Sequence, residues 1–76
     1  MKDIILNILQ ELCPYEDITA DTELLEEGVL DSMGIMLLIE RLEKEFSVSI
    51  PAEELEPEDF ADLSAIAEMT ERAAKR

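Results

Sequence analysis

The run Glu26-Glu27-Gly28-Val29-Leu30-Asp31-Ser32-Met33 is where this chain gathers groups able to do chemistry. Its serine stands at the seam between a turn-rich acidic segment and a strongly helical run, so the Ser32 hydroxyl is expected at a helix N-terminus. Backbone N–H groups without an intrahelical partner, together with the positive end of the helix dipole, favour an anion there. At an exposed end that preference is worth a few tenths to about 1 kcal/mol. Such a hydroxyl is well placed for a phosphate. Asp31 opposes an anion locally, so a covalent bond, and not the field of the site, would have to hold the phosphate. Asp31-Ser32 also suits a plain helix cap, because aspartate is a preferred N-cap residue.

Other constellations are thin. The chain has no histidine, so the commonest general base is missing, and its lone cysteine cannot build a zinc or transition-metal cluster. Gly28 and Gly34 stand apart, with no phosphate-cradling loop and no Walker lysine. Asp17, Asp21 and Glu23 lack the alternating acids and central glycine of an EF-hand. The acid pairs Glu26-Glu27 and Glu53-Glu54 read as solvated surface. Cys13 has no basic neighbour to stabilise a thiolate and is expected to pack as a small apolar residue. The expectation is a chain with no metal site and no catalytic activity of its own.

The elements that must position Ser32 follow from periodicity. Ile5, Ile8, Leu9 and Leu12 form a helical stripe over roughly residues 3–13, which Pro14 stops by disfavouring helix at Cys13. Residues 15–31 carry seven acids, no base and several turn-formers. A loop of that length inside a compact domain has to be pinned, and Ile18, Leu24, Leu25, Val29 and Leu30 are the residues to do it. The second helix starts near Ser32 with a core stripe of Ile35, Leu38, Ile39, Leu42 and Phe46, while Glu40, Arg41, Glu43 and Lys44 fall on or near the other side. Met33, Met36 and Leu37 do not fit the stripe and make a partner-facing patch or extra core packing. Ser47 to Pro51 break the helix, with Val48 and Ile50 packing inward. Pro57 suits the first turn of a short helix through Ala61, anchored by Phe60. A last helix, capped by Asp62 or Ser64, is apolar along Leu63, Ile66, Met69 and Ala73, and Arg72, Lys75 and Arg76 complement its negative end. The fold class predicted is all-α: a small antiparallel bundle of three main helices and a short one before the last, with a long loop between the first two.

Seventy-six residues make one domain at most, residues 1–76, with marginal stability expected and little room for a deep cleft. Twenty acidic residues face six basic ones, for a net charge of −14. Such a surface repels nucleic acid, whose sequence-independent binding depends on Lys and Arg, and disfavours anionic membranes. It attracts basic protein surfaces. An N-terminal stretch interrupted by Asp3, Asn7, Gln10 and Glu11 is neither a signal-peptide core nor a membrane span. A single cysteine gives no internal disulfide, so a reducing cytoplasm is the default. Self-repulsion among the acids should make the fold sensitive to salt and divalent ions.

Asp31-Ser32-Met33 at the start of an apolar helix, with Glu26, Gly28 and Leu30 before it and Leu42, Glu43 and Phe46 after it, resembles the phosphopantetheine attachment region of acyl carrier proteins. The similarity spans essentially the whole chain, including the Val-x-Ile-Pro segment at Val48 to Pro51. The resemblance implies a carrier, acting as a monomer, whose Ser32 takes 4'-phosphopantetheine from coenzyme A through a separate phosphopantetheinyl transferase, with Asp31 supporting that transferase's magnesium site. The arm's thiol would hold an acyl or aminoacyl group as a thioester, set there by a loading ligase and passed to acyltransferase or synthase enzymes. Met33, Met36, Leu37, Glu40 and Arg41 would form the docking face, and Glu26, Glu27 and Asp31 would meet basic patches on partners. Met33, Gly34 and Leu37 depart from the carriers of fatty acid biosynthesis. Glu26 to Gly34 is similar to the free-standing D-alanyl carrier proteins, and carriers of other specialised pathways share parts of the pattern. The alternative is an acidic interaction module that binds a basic protein without covalent modification.

Overall fold

The computed structural model describes residues 2–75, and Arg76, expected at the end of the last helix, lies outside them. Three α-helices form, α1 (Lys2–Leu12), α2 (Ser32–Phe46) and α3 (Leu63–Ala74), with 3₁₀ turns at Ala52–Glu54 and Pro57–Phe60. No strand occurs among the described residues. The all-α bundle with a long first loop, expected from the sequence, is what forms; the 3₁₀ turn at Ala52–Glu54 was not foreseen.

Each helix is built as its stripe dictates. Ile5, Ile8 and Leu9 of α1 are buried, as are Leu38 and Leu42 of α2 and Leu63, Ile66 and Met69 of α3. They meet in one core to which the loop adds Ile18, Leu24 and Leu30, and the turn before α3 adds Phe60. α1 packs on both α2 and α3, and the second 3₁₀ turn packs on α3. Ile35, Ile39 and Phe46, expected in the stripe of α2, are half-buried because they lie at its flanks. Helix α1 ends one residue before the predicted Cys13, although the Cys13 N–H still donates to the Leu9 carbonyl at 2.9 Å.

Helices α2 and α3 both start on an aspartate cap. Asp31 accepts from Gly34 N–H, and Asp62 accepts from Ala65 N–H at 2.8 Å, which decides between Asp62 and Ser64. Helix α2 ends on Ser47 in the left-handed conformation, φ 52°. Glu43, read as surface, turns one carboxylate oxygen back to accept from Ile50 N–H at 2.8 Å, so the end of α2 organises the segment that follows it. Arg72 of α3 pairs with Asp59 at 2.9 Å, and Asp59 also accepts from Glu56 N–H at the start of its turn. Thr70, fully buried, donates its hydroxyl to the Ile66 carbonyl at 2.8 Å, which removes the cost of an unpaired polar group.

Candidate functional site

The loop delivers Ser32 by way of a turn that its own sequence encodes. Residues 24–28 make one helical turn closed in a Schellman arrangement: Val29 N–H donates to the Leu24 carbonyl at 2.9 Å and Gly28 N–H to the Leu25 carbonyl at 3.2 Å. That closure needs a left-handed residue, and Gly28 has φ +72°. The turn is pinned in three ways. Leu24 is fully buried and its N–H donates to the Ala61 carbonyl at 2.9 Å, just before α3. Glu27 reaches back to accept from Glu23 N–H at 3.0 Å. The Cys13 thiol donates to the Val29 carbonyl at 3.7 Å, joining the end of α1 to the approach to Ser32. Burial, then Glu16 and Asp31, push the Cys13 thiol pKa up, in keeping with a protonated donor and against a reactive thiolate.

At the helix entrance Asp31 takes extended backbone angles and its Oδ1 accepts from Gly34 N–H at 2.7 Å. A methyl group on Gly34 would lie 3.3 Å from that same oxygen and 3.4 Å from Leu30, so glycine is what lets the cap close this tightly. With the Asp31 carboxylate occupied by the cap, the next residue begins the helix with its side chain outside the bundle. Ser32 is exposed, and its hydroxyl has no hydrogen-bond partner among the described residues. The chain leading to it is acidic, and Glu26, Glu27 and Asp31 are all exposed. Glu23 sits against Glu26 and Glu27, its carboxyl pKa raised first by a hydrogen bond with Glu26 and that residue's charge, then by desolvation and the charges of Glu27 and Asp62.

Past Ser32 the outer face of α2 is apolar. Met33, Met36 and Leu37 are 72%, 69% and 46% exposed, so they are surface and not extra core. Glu40 and Arg41 follow, both exposed. The structure therefore brings Ser32, Met33, Met36, Leu37, Glu40 and Arg41 onto one helix, with Asp31 as its cap and Glu26 and Glu27 on the turn that precedes it. Sequence reasoning left out two neighbours of this face, Leu12 and Lys44, which border an open groove with Leu37 and Arg41. Lys44 was legible, since 37, 40, 41 and 44 recur at i, i+3, i+4 and i+7. Leu12 was not, because it arrives from another helix. No helix is long and apolar enough to cross a membrane, and no cluster of candidate metal ligands occurs among the described residues.

The family model described as a phosphopantetheine attachment site matches residues 3–72. D-alanyl carrier proteins are similar to this chain: that of Streptococcus suis (strain 98HAH33) is 47% identical over 62 residues, covering 79% of this chain and 77% of its own length. That of Lactococcus lactis subsp. cremoris (strain MG1363) is 36% identical over 69 residues, covering 88% and 87%. That of Bacillus velezensis (strain DSM 23117 / BGSC 10A6 / LMG 26770 / FZB42) is 31% identical over 61 residues, covering 78% of each. The group that the family carries is a covalently attached 4'-phosphopantetheine. The residues present fit it: an exposed hydroxyl at a helix N-terminus, without a hydrogen-bond partner among the described residues, is the chemistry a phosphodiester linkage needs. Matched over residues 3–72 by the family model, the chain belongs to the phosphopantetheine-binding carrier proteins of the acyl carrier family.

Proposed function

We propose that this protein is an aminoacyl carrier, with D-alanine its cargo, and that the Ser32 hydroxyl is the point at which 4'-phosphopantetheine is esterified. The observation that carries the reading is the exposed, unengaged hydroxyl of Ser32 on the first residue of α2, inside a family match that runs from residue 3 to residue 72. The relatives named as D-alanyl carrier proteins support the choice of cargo.

The chain's own part is positional. Asp31 spends its carboxylate on Gly34 N–H, which holds the start of α2 rigid, and the Schellman turn at Gly28 sets the direction from which the chain enters it. The hydroxyl is thus offered to a separate phosphopantetheinyl transferase at a fixed place and without an internal competitor. When attached, the arm supplies a thiol that holds the aminoacyl group as a thioester, and tethering raises the local concentration of that group at a docked enzyme. Met33, Met36, Leu37, Glu40 and Arg41, with Glu26 and Glu27, form the docking face for the transferase, an adenylating loading ligase and the acceptor enzyme. The bond chemistry belongs to those partners, and the setting is the cytoplasm.

Intact-mass measurement tests the reading. After incubation with coenzyme A, magnesium and a broad-specificity phosphopantetheinyl transferase, the mass should rise by one phosphopantetheinyl group. Adding D-alanine, ATP and a D-alanine-activating ligase should add one alanyl group that hydroxylamine removes. Ser32→Ala should keep the helical circular dichroism and gain neither increment. An unchanged wild-type mass beside a modified control carrier overturns the proposal.

A further inference from the structure

We infer that Met33 and Met36 are a reversible oxidation site: hydroperoxides convert them to methionine sulfoxides on the folded protein, and the carrier is then loaded poorly until a methionine sulfoxide reductase restores them. The effect on loading rests on the reading of this face of α2 as the place where partner enzymes dock; the modification itself does not. Its basis is a contrast in burial among the sulfurs. The described residues hold three methionines, Met33, Met36 and Met69. Met33 and Met36 are 72% and 69% exposed, whereas Met69 is 2% exposed inside the core. A peroxide has to reach the sulfur, so the folded chain offers two thioethers and shields the third. Cys13 is a poor competitor. Peroxides attack through the thiolate, and the half-buried Cys13 is held as a thiol that donates to the Val29 carbonyl, its pKa pushed up by burial and by Glu16 and Asp31.

In the reaction the thioether sulfur attacks one peroxide oxygen. An S–O bond forms, the O–O bond breaks, and the departing alkoxide takes up the proton and leaves as an alcohol, or as water when the oxidant is hydrogen peroxide. Sulfur gives up two electrons and the peroxide gains them. Reduction by a dithiol returns the thioether, with the oxygen released as water and the two thiols joined as a disulfide.

Position gives the modification its consequence. Met33 follows Ser32 directly, and Met36 lies one turn on at i+3, so the two thioethers are neighbours at the entrance of α2. With Leu37 they make the exposed apolar surface of that helix. Oxidation turns a flexible apolar side chain into a polar one, so two of those three side chains lose the property that a docked enzyme would bury. The helix itself should stand, because neither methionine belongs to the core. The same oxygen on Met69 would set a polar group in the apolar core, which is costly in a small domain. Burial thus protects the sulfur whose oxidation would unfold the chain and leaves open the two whose oxidation changes only its surface.

The test oxidises the protein before its arm is attached, so that the arm's thiol is not consumed. After hydrogen peroxide and a catalase quench, peptide mass mapping should find one oxygen on Met33 and one on Met36 well before Met69, and the three rates should converge in unfolding urea. The arm is then attached to completion, and loading by a D-alanine-activating ligase is measured against carrier concentration. Oxidation should raise KM for the carrier about tenfold, the scale of one buried methionine side chain, with helical circular dichroism unchanged. Methionine sulfoxide reductases for both sulfoxide epimers, with a dithiol, should bring KM back. The double variant Met33→Leu, Met36→Leu, whatever its starting KM, should give the same value before and after peroxide. Met69 oxidising as fast as the other two in the folded protein, or Cys13 oxidising first, overturns the inference. So does a KM that peroxide leaves alone, a rise that the reductases do not reverse, or a rise that the double variant shares; in each case untreated protein still loads and the parent reading stands. Untreated wild-type protein that is never loaded overturns the parent reading and this inference with it.

Discussion

At the scale of single residues, the two ends of α2 and the turn before it depend on one carboxylate and two left-handed backbone conformations. Asp31 stabilises α2 by accepting from Gly34 N–H at 2.7 Å. Asp31→Ala should cost about 1 kcal/mol, which in a domain this small lowers the melting temperature by roughly 4–8 °C; thermal unfolding followed by circular dichroism checks it. Gly28 and Ser47 make a matched pair, at φ +72° and φ 52°. A methyl on Gly28 would meet nothing within 4 Å, so Gly28→Ala isolates the backbone penalty of the left-handed region. It should destabilise by about 1–2 kcal/mol. Ser47→Gly removes a penalty already present and should stabilise by about 0.5–1 kcal/mol. Urea titration of both variants should show shifts of opposite sign, and shifts of the same sign would sink the argument.

At the scale of elements, the long loop behaves as a strap. Its hold on the bundle runs through Leu24, which contributes a fully buried side chain, an N–H to Ala61 and a carbonyl that receives both Val29 and Leu30 N–H groups. Leu24→Ala should cost about 2–5 kcal/mol as a core truncation, a large share of the stability of a small domain. Amide exchange of Val29 and Leu30 should accelerate more than that of Leu9 or Ile66, because the strap loosens before the helices part. The same turn stores like-charge strain. Glu23 titrates above its ordinary range, so the folded state binds a proton more readily than the unfolded chain does. By linkage this penalty is present at neutral pH and is relieved as pH falls through the raised folded value toward the unfolded one. The melting temperature should therefore rise on mild acidification below pH 7, and Glu23→Gln, which keeps a hydrogen-bonding amide beside Glu26, should rise less.

At the scale of the whole molecule, compactness and charge are opposed. The radius of gyration, 11.2 Å, is that of a well-packed chain of this length, yet the net charge is −14. Repulsion of that kind is screened by salt and more strongly by divalent ions. Millimolar magnesium should raise the melting temperature, and a value that stays flat between low salt and millimolar magnesium would show that the repulsion contributes little.

Local chemistry made much of this protein legible without its coordinates. Helix periodicity marked Ile5, Ile8, Leu9, Leu38, Leu42, Ile66 and Met69 for the core, because a stripe at helical spacing can be buried only one way. Aspartate before a helical run marked the cap at Asp31, and an irregular acidic stretch marked the loop. What periodicity left open was whether Met33, Met36 and Leu37 are core or surface, since a helix nearly apolar all round has no preferred inward side. The position of α1 on α2 decided that and left them in solvent. Only tertiary packing joined Cys13 to Val29, Leu24 to Ala61, and Glu11 to Arg41. Each is a contact between groups far apart in the chain, and hydrogen bonds and ion pairs of that range depend on where helices come to rest, which no local pattern of residues specifies.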